Sequence, residues 1–482
     1  MLAYHKSISD HVSRIKLNNV DLAWLRMENS TNPMMITVVL HFNGYVNYDQ
    51  LISTLQVHLS PYRRFRQRIV RPTGMFNRPY WEDDPNLRVV DQVERLDLQS
   101  PVNEAVLQAL VNTKMSTLLD FTHPLWKVTL IDNYPGGSII IARMHHCIAD
   151  GISLMQVLLQ MTQTADGEPA FRSLLENSIR ENDPANQAPA ITRIVPQVEN
   201  HRGSQNGNSS KSASQQIAKS GQGTAFRYPT IIEIISASAK IIFRSPDPPT
   251  ILKGQLGNTK NAVWSETFSV MELKEIAQYN RSTINDVLMA ITTGTIRRYM
   301  DLHNDHRKWN IRAFVMVNLR GRSIDEELGN KFGLVFLDLP IGFEQPTERL
   351  AKIKQGMDRL KASAEYAASY LILKFLGQMP EWIEHLATRI LDTKGTVVAT
   401  NVPGPRHPIY LAGAPISSIR AWVPQSGRIG VGLSFVSYNN RMGVGLNADA
   451  GLIPDPEKFL ELFDEEFRSL QAGVSASTQD VS

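Results

Sequence analysis

His145-His146-Cys147-Ile148-Ala149-Asp150-Gly151 is the stretch on which the reading of this 482-residue chain turns. Before it, Ser138–Met144 is an apolar run of strand character. After it, Gly151–Gln163 sets Ile152, Met155, Leu158 and Leu159 at helical spacing. The order is strand, tight loop, helix. A histidine at the end of a buried strand is held rigidly, and its reference pKa of about 6.5 lets it take a proton from a hydroxyl near neutral pH. Asp150 can shape the loop or fix the ring tautomer, and Gly151 permits a close chain approach that a Cβ would obstruct. Neighbouring strand residues point to opposite faces, so one of the two histidines faces a substrate. That geometry also argues against a shared metal, and no His-Glu-x-x-His is present. A plainer reading stays open: two hydrogen-bonded core histidines, with Asp150 as the N-cap of the following helix.

Working outward toward the N-terminus, Trp126–Ile131 is a second strand, joined to the first across Pro135-Gly136-Gly137. Val102–Leu119 and Asp49–Leu59 have helical spacing, Met35–Phe42 is a strand, and Asp21–Leu25 opens the block with a short helix. Toward the C-terminus, 197–224 holds no aromatic residue and is rich in Ser, Gln, Asn, Gly and Lys, the composition of a disordered linker. Ile231–Phe243 reads as a helix that docks on the body, although it and Tyr370–Leu376 are apolar enough to touch lipid. A second block follows. Thr283–Met300 is a long helix behind a polar cap, and Ile311–Leu319 and Leu334–Leu339 are strands. Thr347–Ser363 is helical, Tyr366–Leu391 is helical with a break at Pro380, and Gly395–Thr400 is a strand. Ile429–Tyr438 and Arg441–Asn447 form a hairpin turning at Asn439-Asn440.

Composition narrows the classes. Apolar residues are 42% and charged residues 20%, which excludes wholesale disorder. Fifty Lys and Arg against 47 Asp and Glu leave a net charge of +3, too small for a nucleic-acid footprint. The single cysteine, Cys147, excludes an intrachain disulfide and a CxxC knuckle. No run reaches the ~18 apolar residues of a spanning helix, and no secretory signal is expected. Arg63, Arg64, Arg66 and Arg68 form either a solvated face or an attraction for phosphates or anionic lipid headgroups.

His145–Gly151 resembles the HHxxxDG motif of the CoA-dependent acyltransferases, a superfamily that includes peptide-synthetase condensation domains. Further segments resemble the bacterial-type wax ester synthase/diacylglycerol acyltransferases. They are Pro124-Leu125-Trp126, Thr283-Ile284-Asn285-Asp286-Val287, Val317-Asn318-Leu319-Arg320 with Gly329-Asn330, and Asn401-Val402-Pro403-Gly404-Pro405-Arg406. They occur in the family's order. One departure stands out: 86–93 has no histidine where many members carry one, which leaves acceptor preference open.

The resemblance implies a mixed α/β fold of two chloramphenicol-acetyltransferase-like, condensation-like domains with an active-site tunnel at their interface. Its implied divisions are 1–170 for the domain with the histidines, 171–260 for the linker, 261–472 for the second domain and 473–482 for a polar tail. It implies direct transfer of a long-chain acyl group from acyl-CoA to a fatty alcohol or diacylglycerol, without an acyl-enzyme. His146 would be the general base, supported by His145 and Asp150. Gly151, Trp126, Asn285 and Asp286 would contact substrate. For Trp126 a core role stands beside that one. Asn285 and Asp286 also suit a helix cap and a first-turn acid, and Asn285 suits an oxyanion donor. Cys147 reads as a small buried hydrophobe rather than a nucleophile. No metal or other cofactor is implied, acyl-CoA being a co-substrate. The expected location is cytoplasmic, peripheral at a membrane or lipid inclusions, with no nucleic-acid partner. The competing readings are another condensation-type acyltransferase and a non-catalytic lipid-binding protein.

Overall fold

The computed structural model describes residues 14–72, 78–98, 102–171, 229–265, 268–319, 328–425 and 427–479. The linker expected at 197–224 and Arg320 lie outside them. In chain order the first half holds β1 (Arg14–Lys16), α1 (Asn19–Met27), β2 (Met35–Phe42), α2 (Tyr48–Leu59), β3 (Gln67–Val70), β4 (Tyr80–Asp83) and β5 (Val93–Leu96). It continues with α3 (Glu104–Met115), β6 (Trp126–Tyr134), β7 (Gly137–His145) and α4 (Gly151–Gln160). The second half opens with α5 (Ile231–Phe243), β8 (Lys260–Trp264), β9 (Phe268–Ser269), α6 (Val270–Tyr279), α7 (Ile284–Leu302), β10 (Ile311–Asn318) and β11 (Phe332–Leu339). It closes with α8 (Pro346–Lys361), α9 (Glu365–Leu376), α10 (Glu381–Asp392), β12 (Val397–Pro403), β13 (Tyr410–Leu411), β14 (Ala414–Trp422), β15 (Val431–Tyr438), β16 (Arg441–Asp449) and α11 (Pro456–Gln479). The last helix thus runs into the stretch expected as a polar tail.

Local chemistry accounts for most of these boundaries. Helices α1 to α4 each open on Asn or Asp: Asn18, Asn47, Asn103 and Asp150 accept from the backbone N–H three residues on. Thr230 and Thr283 open α5 and α7 with capping boxes closed by Glu233 and Asp286. The cap of α7 is therefore Thr283, which corrects the expectation that Asn285 caps it. Pro380 ends the turn after α9 and stands at the N-cap of α10. Asn439 and Asn440 take φ of 48° and 59°, as a two-residue hairpin turn between β15 and β16 requires.

Two mixed sheets interlock. The first has the order β13-β14-β2-β7-β6-β5 and the second β11-β10-β12-β15-β16-β8, with β9 on β16. A small sheet, β1-β4-β3, stands apart. Strand β14 comes from the second half yet pairs antiparallel with β2, Ile419 opposite Leu40 and Trp422 opposite Thr37. Phe332, Ile416, Ile419, Val436 and Tyr438 accordingly share one buried cluster with Leu51, Leu55 and Trp126. The chain crosses between halves at Pro403-Gly404-Pro405, just after β12. The histidine loop lies beside this crossing. No helix among the described residues is long and apolar enough to cross a membrane.

Candidate active site

Strand β7 delivers the histidines. It is central in its sheet, and Met35 faces His145 across the β2 pairing. Beyond the strand, His146 N–H donates to Met34 O (2.7 Å) and Ile148 N–H to His145 O (3.0 Å), so the loop is pinned on both sides. The two imidazoles then part company. His145 is fully buried; its Nδ1 accepts from Cys147 N–H at 3.0 Å, and its Nε2 lies 3.2 Å from Glu28 Oε2. It lines neither of the cavities described next.

His146 lines a cavity of about 80 Å³ together with Gly151, Asn285, Phe332, Asn401 and Met316. Its ring stacks on Trp24, centroids 4.2 Å apart and planes 13° from parallel. Its Nδ1 is 3.0 Å from Asn330 Oδ1. The Asn330 amide is oriented by its other end, since Nδ2 donates to Asp21 Oδ1 (3.0 Å) and His146 O (2.8 Å). Oδ1 is thus the acceptor and His146 Nδ1 must carry the hydrogen. That leaves Nε2 with the free lone pair, on a ring that lines the cavity. Burial pushes the His146 pKa down to about 4, against the charge of Asp150, so the imidazole is neutral at ordinary pH.

Behind Asn330, Asp21 pairs with Arg64 at 2.6 Å, and Arg64 also donates to Cys147 O (3.1 Å) and Ile148 O (2.8 Å). Burial raises the Asp21 carboxyl above its usual range, with Arg64, Asn330 and Asn18 opposing. The arginine cluster read from sequence is therefore divided. Arg64 turns inward, Arg68 pairs with Glu82, and Arg63 and Arg66 are exposed.

Asp150 is the cap the plain reading named, and more. Its Oδ1 accepts from Ser153 N–H, while Oδ2 accepts from Lys331 N–H at 3.1 Å, beside Asn330. Gly151 lines the His146 cavity and also a second one, about 110 Å³, walled by Leu51, Leu55, Trp126, Leu154 and Ile419. A Cβ on Gly151 would stand 3.2 Å from Val402 Cγ2, where the two cavities adjoin. Trp126 donates from Nε1 to Phe65 O (2.9 Å) and offers its ring to that apolar wall. Asn285 lines the first cavity; its Oδ1 accepts from Asn401 Nδ2 at 2.5 Å, leaving its own NH2 as a donor. Asp286 does not line it. Its carboxylate accepts from Thr283 N–H at 2.8 Å, closing the cap of α7. Burial, with the nearby charge of Asp21, pushes the Cys147 thiol well above its usual range, which disfavours the thiolate.

The structure therefore gathers His146, Asp150, Gly151 and Asn285 around one cavity. It puts Trp126 on the adjoining one and His145 and Asp286 behind the walls. Sequence reasoning did not assign Asn330, Asp21, Trp24, Glu28 or Arg64 to the site. The available signals were Asp21, a carboxylate inside the apolar run Val20–Leu25, and Asn330, quoted only as part of a motif.

This arrangement matches known proteins along nearly its whole length. The model of the wax ester synthase/diacylglycerol acyltransferase catalytic domain matches residues 17–288, and that of the WS/DGAT C-terminal domain matches 328–471. A protein named a probable diacylglycerol O-acyltransferase in Mycobacterium tuberculosis is 24% identical over 415 residues, 84% of each chain. Among solved structures, the wax ester synthase/diacylglycerol acyltransferase from Marinobacter aquaeolei VT8 superposes with a TM-score of 0.63 at 18% identity, over 95% of this chain and 100% of that one. The first condensation domain of the calcium-dependent antibiotic synthetase gives 0.60 at 13% identity, over 96% of each. The fold is thus the two-domain, condensation-like α/β architecture. With a family model covering more than half of its length, the chain belongs to the wax ester synthase/diacylglycerol acyltransferase family.

Proposed function

We propose that this acyltransferase moves a long-chain acyl group from acyl-CoA directly to the hydroxyl of a fatty alcohol or diacylglycerol, with His146 as general base. The observation that carries the reading is the neutral His146 imidazole, tied at Nδ1 to Asn330 and bordering an apolar cavity. Nε2 takes the hydroxyl proton as the oxygen attacks the thioester carbonyl. The tetrahedral oxyanion accepts a hydrogen bond from the Asn285 amide, the C–S bond breaks, and the imidazolium returns its proton to the CoA thiolate. The transfer is direct, and burial that keeps Cys147 a thiol argues against that residue as an acyl-accepting nucleophile. His145 is a positioning residue in this scheme, and Asp150 holds the loop to Lys331 while its charge favours the imidazolium. The adjoining apolar cavity takes the acyl chain, with Trp126 in its wall and Gly151 at the junction. The two cavities form parts of one tunnel between residues 1–170 and 261–472, the two acyltransferase-like units of this reading. Acyl-CoA is a co-substrate, and the scheme calls on no metal or redox group. The protein works in the cytoplasm, peripherally at a lipid surface.

A CoA-release assay tests the reading, with palmitoyl-CoA and hexadecanol, dioleoylglycerol or hexadecylamine as acceptor. His146→Ala is expected to lower kcat by about 10²–10⁴-fold with both hydroxyl acceptors. Near-full turnover in the mutant removes His146 as the base. Turnover with the amine alone favours the condensation-type alternative.

A further inference from the structure

Twenty large apolar side chains are exposed among the described residues, and ten of them lie on α5, α9 and α10. These helices are neighbours: α5 packs on α9, α9 on α10, and Arg244 at the end of α5 pairs with Glu365 of α9 at 2.9 Å. Their burial is inverted. Helix α10 buries Glu384 and Asp392 while Trp382, Leu386 and Ile390, one turn apart on a single stripe, face outward. Trp382 is 69% exposed. Helix α5 buries Ala237 and Ile241 alone, leaving Ile232 at 79% and Phe243 at 85% exposed. It docks on the body as the sequence suggested, but by a narrow seam.

Water is a poor neighbour for such a face, and its charges say what suits it better. The outward stripes of α9 and α10 carry Lys374 and Arg389 beside Leu371, Phe375, Leu386 and Ile390. Across the three helices the exposed acids are Glu381, in the first turn of α10, and Glu233, tied to Thr230 at the cap of α5, against the exposed cations Lys240, Lys374 and Arg389. Aromatic and aliphatic groups interleaved with long cations that can reach outward fit an anionic lipid interface. A second observation lies directly beneath. The inner faces of the same helices, through Ile241, Ile372, Leu376 and Leu391, roof an apolar cavity of about 80 Å³. Its floor includes Trp24, the ring stacked on His146, and Met316, which also lines the His146 cavity. Two residues in its wall, Glu384 and Gln425, have buried side-chain oxygens, Glu384 Oε1 and Gln425 Oε1, that accept no hydrogen bond. A hydroxyl is the donor that an alcohol-bearing lipid brings to them.

We propose that the outer face of α5, α9 and α10 docks on an anionic lipid bilayer and that the cavity beneath is the port through which the hydroxyl-bearing lipid acceptor passes to His146. The port rests on the acyl-transfer reading; the docking does not. A lipid acceptor then never crosses water. It leaves the bilayer between helices that present apolar side chains outward and, through Ile241, Ile372, Leu376 and Leu391, to the cavity as well, and the ring of Trp24 separates its waiting position from the imidazole.

Flotation with phosphatidylcholine/phosphatidylglycerol vesicles reads docking without reference to catalysis. The triple variant Trp382→Ser/Leu386→Ser/Ile390→Ser changes only exposed side chains and is expected to lower the vesicle partition coefficient about tenfold or more. His146→Ala is expected to float like the wild type. In the CoA-release assay, the kcat/KM ratio of vesicle-borne hexadecanol to water-soluble hexanol should fall about tenfold in the triple variant. Thr388→Phe, which narrows the cavity, should lower that ratio while flotation stays. Unchanged flotation of the triple variant overturns the docking, as does a wild type that fails to float and instead forms dimers that the triple variant dissolves. An unchanged ratio in Thr388→Phe overturns the port. A wild type that floats yet transfers acyl groups to no acceptor overturns the acyl-transfer reading and the port together, and leaves docking standing.

Discussion

In the proposed reaction, the nitrogen that receives the proton is chosen by an amide 184 residues away. Asn330 accepts from His146 Nδ1 because both hydrogens of its own NH2 are engaged by Asp21 and the His146 carbonyl. Asn330→Leu removes that acceptor without adding charge. It is expected to lower kcat about 10–100-fold, with a small change in KM, since a misoriented base costs rate more than binding. Nitrogen-15 NMR of the imidazole, reporting a loss of the Nδ1–H tautomer, checks the cause. The depressed His146 pKa makes two further statements. The proposed base works as the neutral ring, so kcat/KM should stay flat from pH 8 to about 5 and fall with a midpoint near 4, not 6.5. The folded pKa lies below the ordinary histidine value of 6.5. Between those limits the unfolded chain takes up a proton that the folded one refuses. The contribution of His146 to stability is therefore complete above pH 6.5 and lost as pH falls toward 4. His41, driven to about 3 by burial beside Arg420, adds a loss of the same sign. Urea unfolding midpoints measured from pH 7 down to 4 follow it.

At the scale of an element, α4 does more than terminate a loop. Its cap, Asp150, bonds its own first turn and reaches Lys331 of the other half, so the start of this helix sets both the loop and the approach of the second domain. Its first residue, Gly151, is open only to the extent that Val402 permits. Gly151→Val would push two methyl groups into the junction of the cavities. The expected result is a preference for shorter acyl-CoA, with palmitoyl-CoA losing about tenfold or more in kcat/KM relative to butyryl-CoA. A chain-length series measured on wild type and variant decides this. An equal loss at every length would mean that the substitution disturbs the loop rather than the junction. Helix α10 shows the opposite lesson. Its periodicity is plainly helical, yet Glu384 and Asp392 are inside and its tryptophan outside, so amphipathic spacing alone does not say which face meets the protein.

Across the whole molecule the halves are not separable beads. Strand β14 completes the first sheet, and nine buried second-half residues, Phe332 and Tyr438 among them, sit in the first half's core cluster. Residues 1–171 expressed alone would leave the edge of β2 unpaired and that core unfilled, an arrangement prone to aggregation. The expected outcome is an insoluble fragment, with soluble protein and CoA release restored by co-expression of 229–482. A soluble, cooperatively unfolding 1–171 fragment, seen by circular dichroism, would contradict it. The same interlocking explains why the cavities lie where they do. Phe332, Asn401 and Val402 come from the second half, while His146 and Gly151 come from the first.

Most elements were legible from residue order: β2, β6, β7, α4, α5, α7 and the hairpin at Asn439-Asn440 follow from apolar spacing, capping residues and turn chemistry, which act within a few residues. The loop of His146 and Gly151 was legible for the same reason, as a rigid turn between two regular elements. Which imidazole meets the cavity, which nitrogen is free, and that Asn330, Asp21 and Arg64 stand behind it were decided only by the tertiary structure. Those choices depend on groups that are far apart along the chain and become neighbours where β14 and Asn330 cross between the halves. No local periodicity encodes that meeting; burial of the shared core produces it.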